Sequence, residues 1–87
     1  MIKSFADKAT AALFAGRNHR KIPPDIRRTA LRKLLQLNAA AEIDFMRVPP
    51  GNRLERLKGD RAGQYSIRIN DQWRICFVWR EGHAYDV

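Results

Sequence analysis

Between Arg53 and Ile67 the chain reads RLERLKGDRAGQYSI, four cations and two acids followed by alternating apolar and polar residues. Arg68 and Arg74 follow shortly after. Guanidinium groups offer paired N–H donors that match phosphate oxygens. Arg53, Arg56, Lys58, Arg61, Arg68 and Arg74 therefore form a candidate basic patch for an RNA backbone. Such a patch also stabilises the charge that builds on a phosphate during strand scission. Scission by the RNA 2′-hydroxyl requires positioning, cations, a proton acceptor and a proton donor, and that hydroxyl also separates RNA from DNA. Glu55 is the nearby candidate for proton transfer, and a glutamate at neutral pH accepts a proton more readily than it gives one. The plainer alternative is Glu55 as a surface carboxylate beside an arginine, with Arg68 and Arg74 as ordinary strand-face charges.

Other chemistries have little support. His19 and His83 are far apart and Cys76 stands alone, which is not a metal-ligand pattern. Lys58-Gly59-Asp60 is too short for a glycine-rich phosphate loop. No serine, histidine and acid trio presents itself, so neither metal nor cofactor is expected.

The elements that must carry the patch follow from periodicity. Ile2 to Phe5 reads as a short first strand. Asp7 is an N-cap for a helix through Ala15, which Gly16 stops. Arg17 to Lys21 is a basic loop. Pro23-Pro24-Asp25 opens a second helix, with Ile26, Ala30, Leu34 and Leu37 at helical spacing and Leu31, Leu35 and Ala41 widening the stripe. Arg27, Arg28, Arg32 and Lys33 fall largely off the stripe and are read as a solvated face. Residues 39–46 fit either a helix tail or irregular chain, and Pro49-Pro50-Gly51 is a break.

The period then becomes two. Tyr65, Ile67 and Ile69 alternate with Ser66, Arg68 and Asn70, and Trp73, Ile75, Phe77 and Trp79 alternate with Arg74, Cys76, Val78 and Arg80. Asn70-Asp71-Gln72 forms a turn between them, and Glu81-Gly82-His83 a second turn before a strand beginning at Ala84. The predicted fold class is α+β: two N-terminal helices on one face of a small antiparallel sheet. Arg68, Arg74 and Arg80 then project from the opposite face.

Eighty-seven residues suffice for one domain, residues 1–87, with a small core. No apolar run approaches the ~20 residues of a membrane span, and Met1 to Phe5 leads into no secretory signal. A lone cysteine suits a reducing cytoplasm. The net charge of +8 is spread along the chain, nine Lys/Arg against four Asp/Glu in residues 1–46 and eight against five thereafter. Such a balance favours an acidic partner, whether nucleic acid, anionic membrane or acidic protein.

The segment Pro49 to Phe77, PPGNRLERLKGDRAGQYSIRINDQWRICF, closely resembles the core of the HigB-like toxins of the RelE/ParE superfamily. The likeness extends to MIKSF and RKLLQLNAAAEI. It implies a RelE-like toxin of a type II toxin–antitoxin pair, a metal-independent and ribosome-dependent mRNA endonuclease that inhibits translation in the cytoplasm. It implies a HigA-like helix-turn-helix antitoxin, through which alone operator DNA would be reached. By position, Arg74 matches the superfamily arginine assigned to the scissile phosphate, and Lys58 a lysine of the RNase site in some members. Glu55 stands where one branch has a catalytic histidine. The resemblance thus makes Arg74, Lys58 and Glu55 the catalytic set and leaves Arg53, Arg56, Arg61 and Arg68 to bind RNA. It also implies a last strand ending in Asp-Tyr-His, positions that Tyr85, Asp86 and His83 do not fill; weakened or absent cleavage is the corresponding expectation. The alternatives are a toxin-fold module that binds antitoxin and nucleic acid without chemistry, and a gyrase-directed ParE-like toxin.

Overall fold

The computed structural model describes residues 1–61 and 63–87, and of Arg61 the backbone alone. Helix α1 (Lys8–Phe14) starts at Asp7, whose Oδ1 accepts the Thr10 N–H at 2.7 Å. It stops where Gly16 adopts φ +83. There the N–H groups of Gly16 and Arg17 close back on Leu13 and Ala12, so the last carbonyls find donors. Helix α2 (Pro24–Ala39) places Pro24 in its first turn, where a missing N–H leaves no bond unmade. Among the described residues three short 3-10 segments, Ile43–Arg47, Pro50–Asn52 and Gly59–Arg61, lie in the connections.

Among the described residues four strands, β1 (Glu55–Arg56), β2 (Gln64–Arg68), β3 (Arg74–Arg80) and β4 (His83–Tyr85), form one antiparallel sheet in sequence order. The β2–β3 turn is held by Asn70, whose Oδ1 accepts from the backbone of Gln72 and Trp73 at 2.8 Å each. The β3–β4 turn is a two-residue connection with positive φ at both Glu81 and Gly82, the twist that suits a tight hairpin.

Register sorts the sheet residues onto two faces. Tyr65 stands opposite Phe77, Ile67 opposite Ile75, and Trp79 opposite Ala84. On this face Ile67, Phe77 and Ala84 join Leu34, Leu37 and Met46 in a core that is at most 1% exposed. The other face carries Glu55, Ser66, Arg68, Arg74, Cys76 and Arg80. The α+β architecture expected from the sequence is therefore present, with the three strand arginines on the face away from the core.

Several local expectations are corrected. Ile2 to Phe5 forms one parallel bridge, Ile2 with Ala84, rather than a strand. Regular pairing fails where Asp86 turns to φ 52 and gives its N–H to Ser4 Oγ at 2.9 Å. The short strand β1 is an addition, formed within the charged run itself. On α2, Leu35 is half exposed and Lys33 is only 7% exposed, the reverse of the roles their residue types suggested.

Leu37 has no exposed surface and lies at the centre of the helix–sheet contact. Leu37→Ala is expected to lower unfolding stability by about 2–5 kcal/mol, a large share of the ~5–15 kcal/mol typical of a domain. Urea unfolding followed by circular dichroism checks this.

Candidate active site on the outer sheet face

Arg74 opens β3, directly opposite Arg68 at the end of β2. Its side chain is partly exposed but tethered at two atoms. Nε donates to Ser66 Oγ at 3.0 Å, and Nη2 donates to the Arg53 carbonyl at 2.9 Å. Ser66 is buried and faces the same way because it lies two residues from Arg68 on β2. The Arg53 carbonyl is available because Arg53 adopts a left-handed conformation, φ 46 and ψ 58, at the end of the Pro50–Asn52 turn. A guanidinium has five N–H donors. Two bonds fix its plane, and among the described residues Nη1 has no protein partner, so one edge remains free to meet an anion.

Glu55, opposite Ser66 on β1, brings Oε1 to 3.8 Å from Arg74 Nη2. Its side chain is well exposed, so the pair is loose and screened, worth ~0–1 kcal/mol. The arrangement gives an ordered cation with a carboxylate alongside. Arg68 is half-buried on the same face and pairs with the exposed Asp71 in the following turn.

The remaining candidates disperse. Arg56 lies on the core-bearing face of the sheet, at its edge. Its guanidinium carbon is 5.7 Å from the Tyr65 ring centre, and Nη2 donates to the Tyr65 hydroxyl at 3.2 Å. That hydrogen bond pushes the Arg56 pKa above its ordinary value. Lys58 is exposed on the link between β1 and the Gly59–Arg61 turn, and among the described residues no hydrogen bond joins it to the Arg74 group. The Arg53 side chain is likewise exposed. The side chain of Arg61 lies outside the described part. The structure thus joins Arg74 with Glu55, Arg68 and the Arg53 backbone, and it does not bring Arg56 to them.

Sequence reasoning missed the support beneath this group. Lys33 of α2 is buried and donates to Asn52 Oδ1. Asn52 is fully buried, and its Nδ2 is directed to Met46 O at 3.1 Å, Val48 O at 3.3 Å and Gln36 Oε1 at 3.4 Å. Burial, then the nearby charges of Arg32 and Arg68, hold the Lys33 pKa below its ordinary 10.5. The spacing Ile26, Ala30, Lys33, Leu37 does place Lys33 on the buried stripe, and that was the available signal.

A family model described as the RelE-like toxin of type II toxin–antitoxin system HigB matches residues 3–87. Toxin HigB-1 of Vibrio cholerae serotype O1 is 41% identical over 85 residues, spanning 97% of this chain and 90% of that protein. Endoribonuclease HigB of Proteus vulgaris is 35% identical over 89 residues, spanning 98% of this chain and 91% of that one. An uncharacterized protein of Haemophilus influenzae is 39% identical over 69 residues, covering 79% and 68% of the two chains.

The lowered pKa of Lys33 has a defined effect on stability. Between its folded value and the ordinary 10.5 the unfolded chain binds more protons than the folded one, so stability rises with pH across that window. Below the folded value the full penalty is present. The melting temperature of the wild type, relative to Lys33→Met at the same pH, is expected to climb as pH approaches 10.5; a constant difference from neutral pH upward would contradict it.

Proposed function

The chain belongs to the RelE-like HigB toxins of type II toxin–antitoxin systems, and from that premise we propose that it is an endoribonuclease that cleaves mRNA on translating ribosomes through Arg74. Its physiological partner is an antitoxin. On this reading the antitoxin is a HigA-like helix-turn-helix protein, operator DNA is met only through it, and the site of action is the cytoplasm. No helix among the described residues is long and apolar enough to cross a membrane.

The observation that carries the reading is the guanidinium of Arg74, fixed by Ser66 and the Arg53 carbonyl with an edge left open beside Glu55. In the reaction the 2′-oxygen attacks the adjacent phosphorus and the bond from phosphorus to the 5′-oxygen breaks, leaving a 2′,3′-cyclic phosphate. Negative charge grows on the non-bridging oxygens, where a preorganised cation acts most strongly. Arg74 supplies it. Glu55 takes the 2′-hydroxyl proton, and the leaving 5′-oxygen gains a proton from solvent. Lys58, exposed on the link after β1, adds a cation at the rim, while Arg53, Arg61 and Arg68 hold neighbouring phosphates. Arg56, on the other face, contributes to RNA affinity only through the overall positive charge. The net charge of +8 supports attraction to both RNA and an acidic antitoxin surface.

Arg74→Ala tests this. Loss of one charge-stabilising donor is expected to lower the mRNA cleavage rate by about 10²- to 10³-fold and to abolish growth arrest, with antitoxin binding retained. Unchanged arrest would remove Arg74 from the chemistry. Antitoxin binding by a wild-type chain that cleaves no mRNA on ribosomes would favour the binding-module alternative. Affinity for a single-stranded oligoribonucleotide should also fall with salt at a log–log slope of about −0.7 per phosphate contact.

A further inference from the structure

Arg74 depends on an acceptor that belongs to a loop, and loops hold position only when something fixes them. The carbonyl of Arg53 follows the turn Pro50–Asn52, where Asn52 donates its N–H to Pro49 O at 2.9 Å and Arg53 donates to Pro50 O at 3.1 Å. That turn is joined to the rest of the protein by the Asn52 side chain. Its Oδ1 takes the Lys33 ammonium from α2, and its Nδ2 reaches the carbonyls of Met46 and Val48. Gln36, one turn along α2, also donates to the carbonyl of Val48.

We infer that Lys33 and Asn52 are positioning residues for Arg74, fixing the loop so that the Arg53 carbonyl stands where Arg74 Nη2 can use it. The inference rests on the proposed ribonuclease reading for its kinetic consequence, but its structural content is independent of that reading. The polarity of the pair supports it. An ammonium facing an amide rather than a carboxylate keeps its net charge in a buried place, near Arg68 and Arg32. An apolar pair would fill such a core position without that penalty. A polar pair is needed where loop carbonyls must be gathered to one point, because each buried carbonyl requires a donor.

The experiment combines kinetics with a spectroscopic readout in the full chain. Asn52→Ala is expected to lower the cleavage rate at saturating mRNA-programmed ribosomes by about 10- to 100-fold with little change in KM. In an Arg74→Lys background, which lacks the anchored guanidinium, the same substitution should change the rate by less than about threefold, because the two residues act as one unit. Equal losses in both backgrounds would overturn the inference, as would a folded Asn52→Ala of wild-type rate. Separately, the Arg74 Nη2–H signal in nitrogen-labelled protein should exchange with solvent about fivefold faster in Asn52→Ala. An unchanged exchange rate in the folded variant overturns it even if the wild type cleaves no RNA, an outcome that would count against the ribonuclease reading alone. Lys33→Met is measured in the same way and carries the same expectations if Asn52→Ala does not fold.

Discussion

The Arg74 side chain is held at both ends of its guanidinium, by a serine on the neighbouring strand and by a backbone carbonyl from a loop more than twenty residues earlier in sequence. A free arginine on a strand surface samples many rotamers, and fixing it on an anion loses about 1.5–2 kcal/mol of side-chain freedom. Here that ordering is completed on folding. The acceptors are neutral, so the positive charge stays available. A carboxylate in direct contact would have cancelled it, and Glu55 stops at 3.8 Å on a side exposed to water.

That arrangement concentrates like charge. Arg68 and Arg74 are directly opposed across β2 and β3, a pairing that destabilises a sheet by itself. Asp71 draws Arg68 toward the turn, and Glu55 offsets part of the charge of Arg74. Beneath them Lys33 adds a buried cation whose pKa is lowered by burial and by its neighbours. Three cations around one end of the sheet oppose folding stability. Their shared consequence is a positive potential at the sheet surface, which is of use only to a negatively charged ligand. Violations of local stability rules that cluster in this way are where a binding surface is expected.

Much of the fold was legible because it rests on periodicity. Alternation in residues 65–69 and 73–79 set the strands and their faces, and Asp7, Gly16 and Pro24 marked helix ends by mechanisms that need no tertiary information. Arg68, Arg74 and Arg80 followed to the outer face by parity alone. The errors share a different cause. Lys33 was assigned to water because its residue type outweighed its position, although the helical spacing placed it inward. Sequence proximity groups Arg56 with its neighbours, whereas a two-residue strand sends Glu55 and Arg56 to opposite faces. β1 itself could not be read, because its two residues have no apolar pattern and exist as a strand only through pairing with Tyr65 and Ser66. The anchoring of Arg74 by the Arg53 carbonyl is a backbone contact across distant segments, and no residue type announces it.

Where cleavage occurs is a separate question from how. Arginines directed at phosphate oxygens bind any RNA strand, since the backbone carries no sequence information. On the proposed reading Arg53, Arg68 and Arg74 provide affinity and charge stabilisation without selecting a site. A nuclease built only on such contacts would degrade RNA wherever it is single-stranded, and high salt would release it everywhere alike. Under the proposal, selection then comes from whatever presents the scissile nucleotide in line with Glu55 and Arg74. A small sheet surface with short strands has little means of bending an RNA around itself. Under the proposal, the ribosome supplies the alignment by holding the mRNA in a fixed path. On the proposed reading, the physical reason for expecting ribosome dependence is the phosphate-directed chemistry of the proposed site.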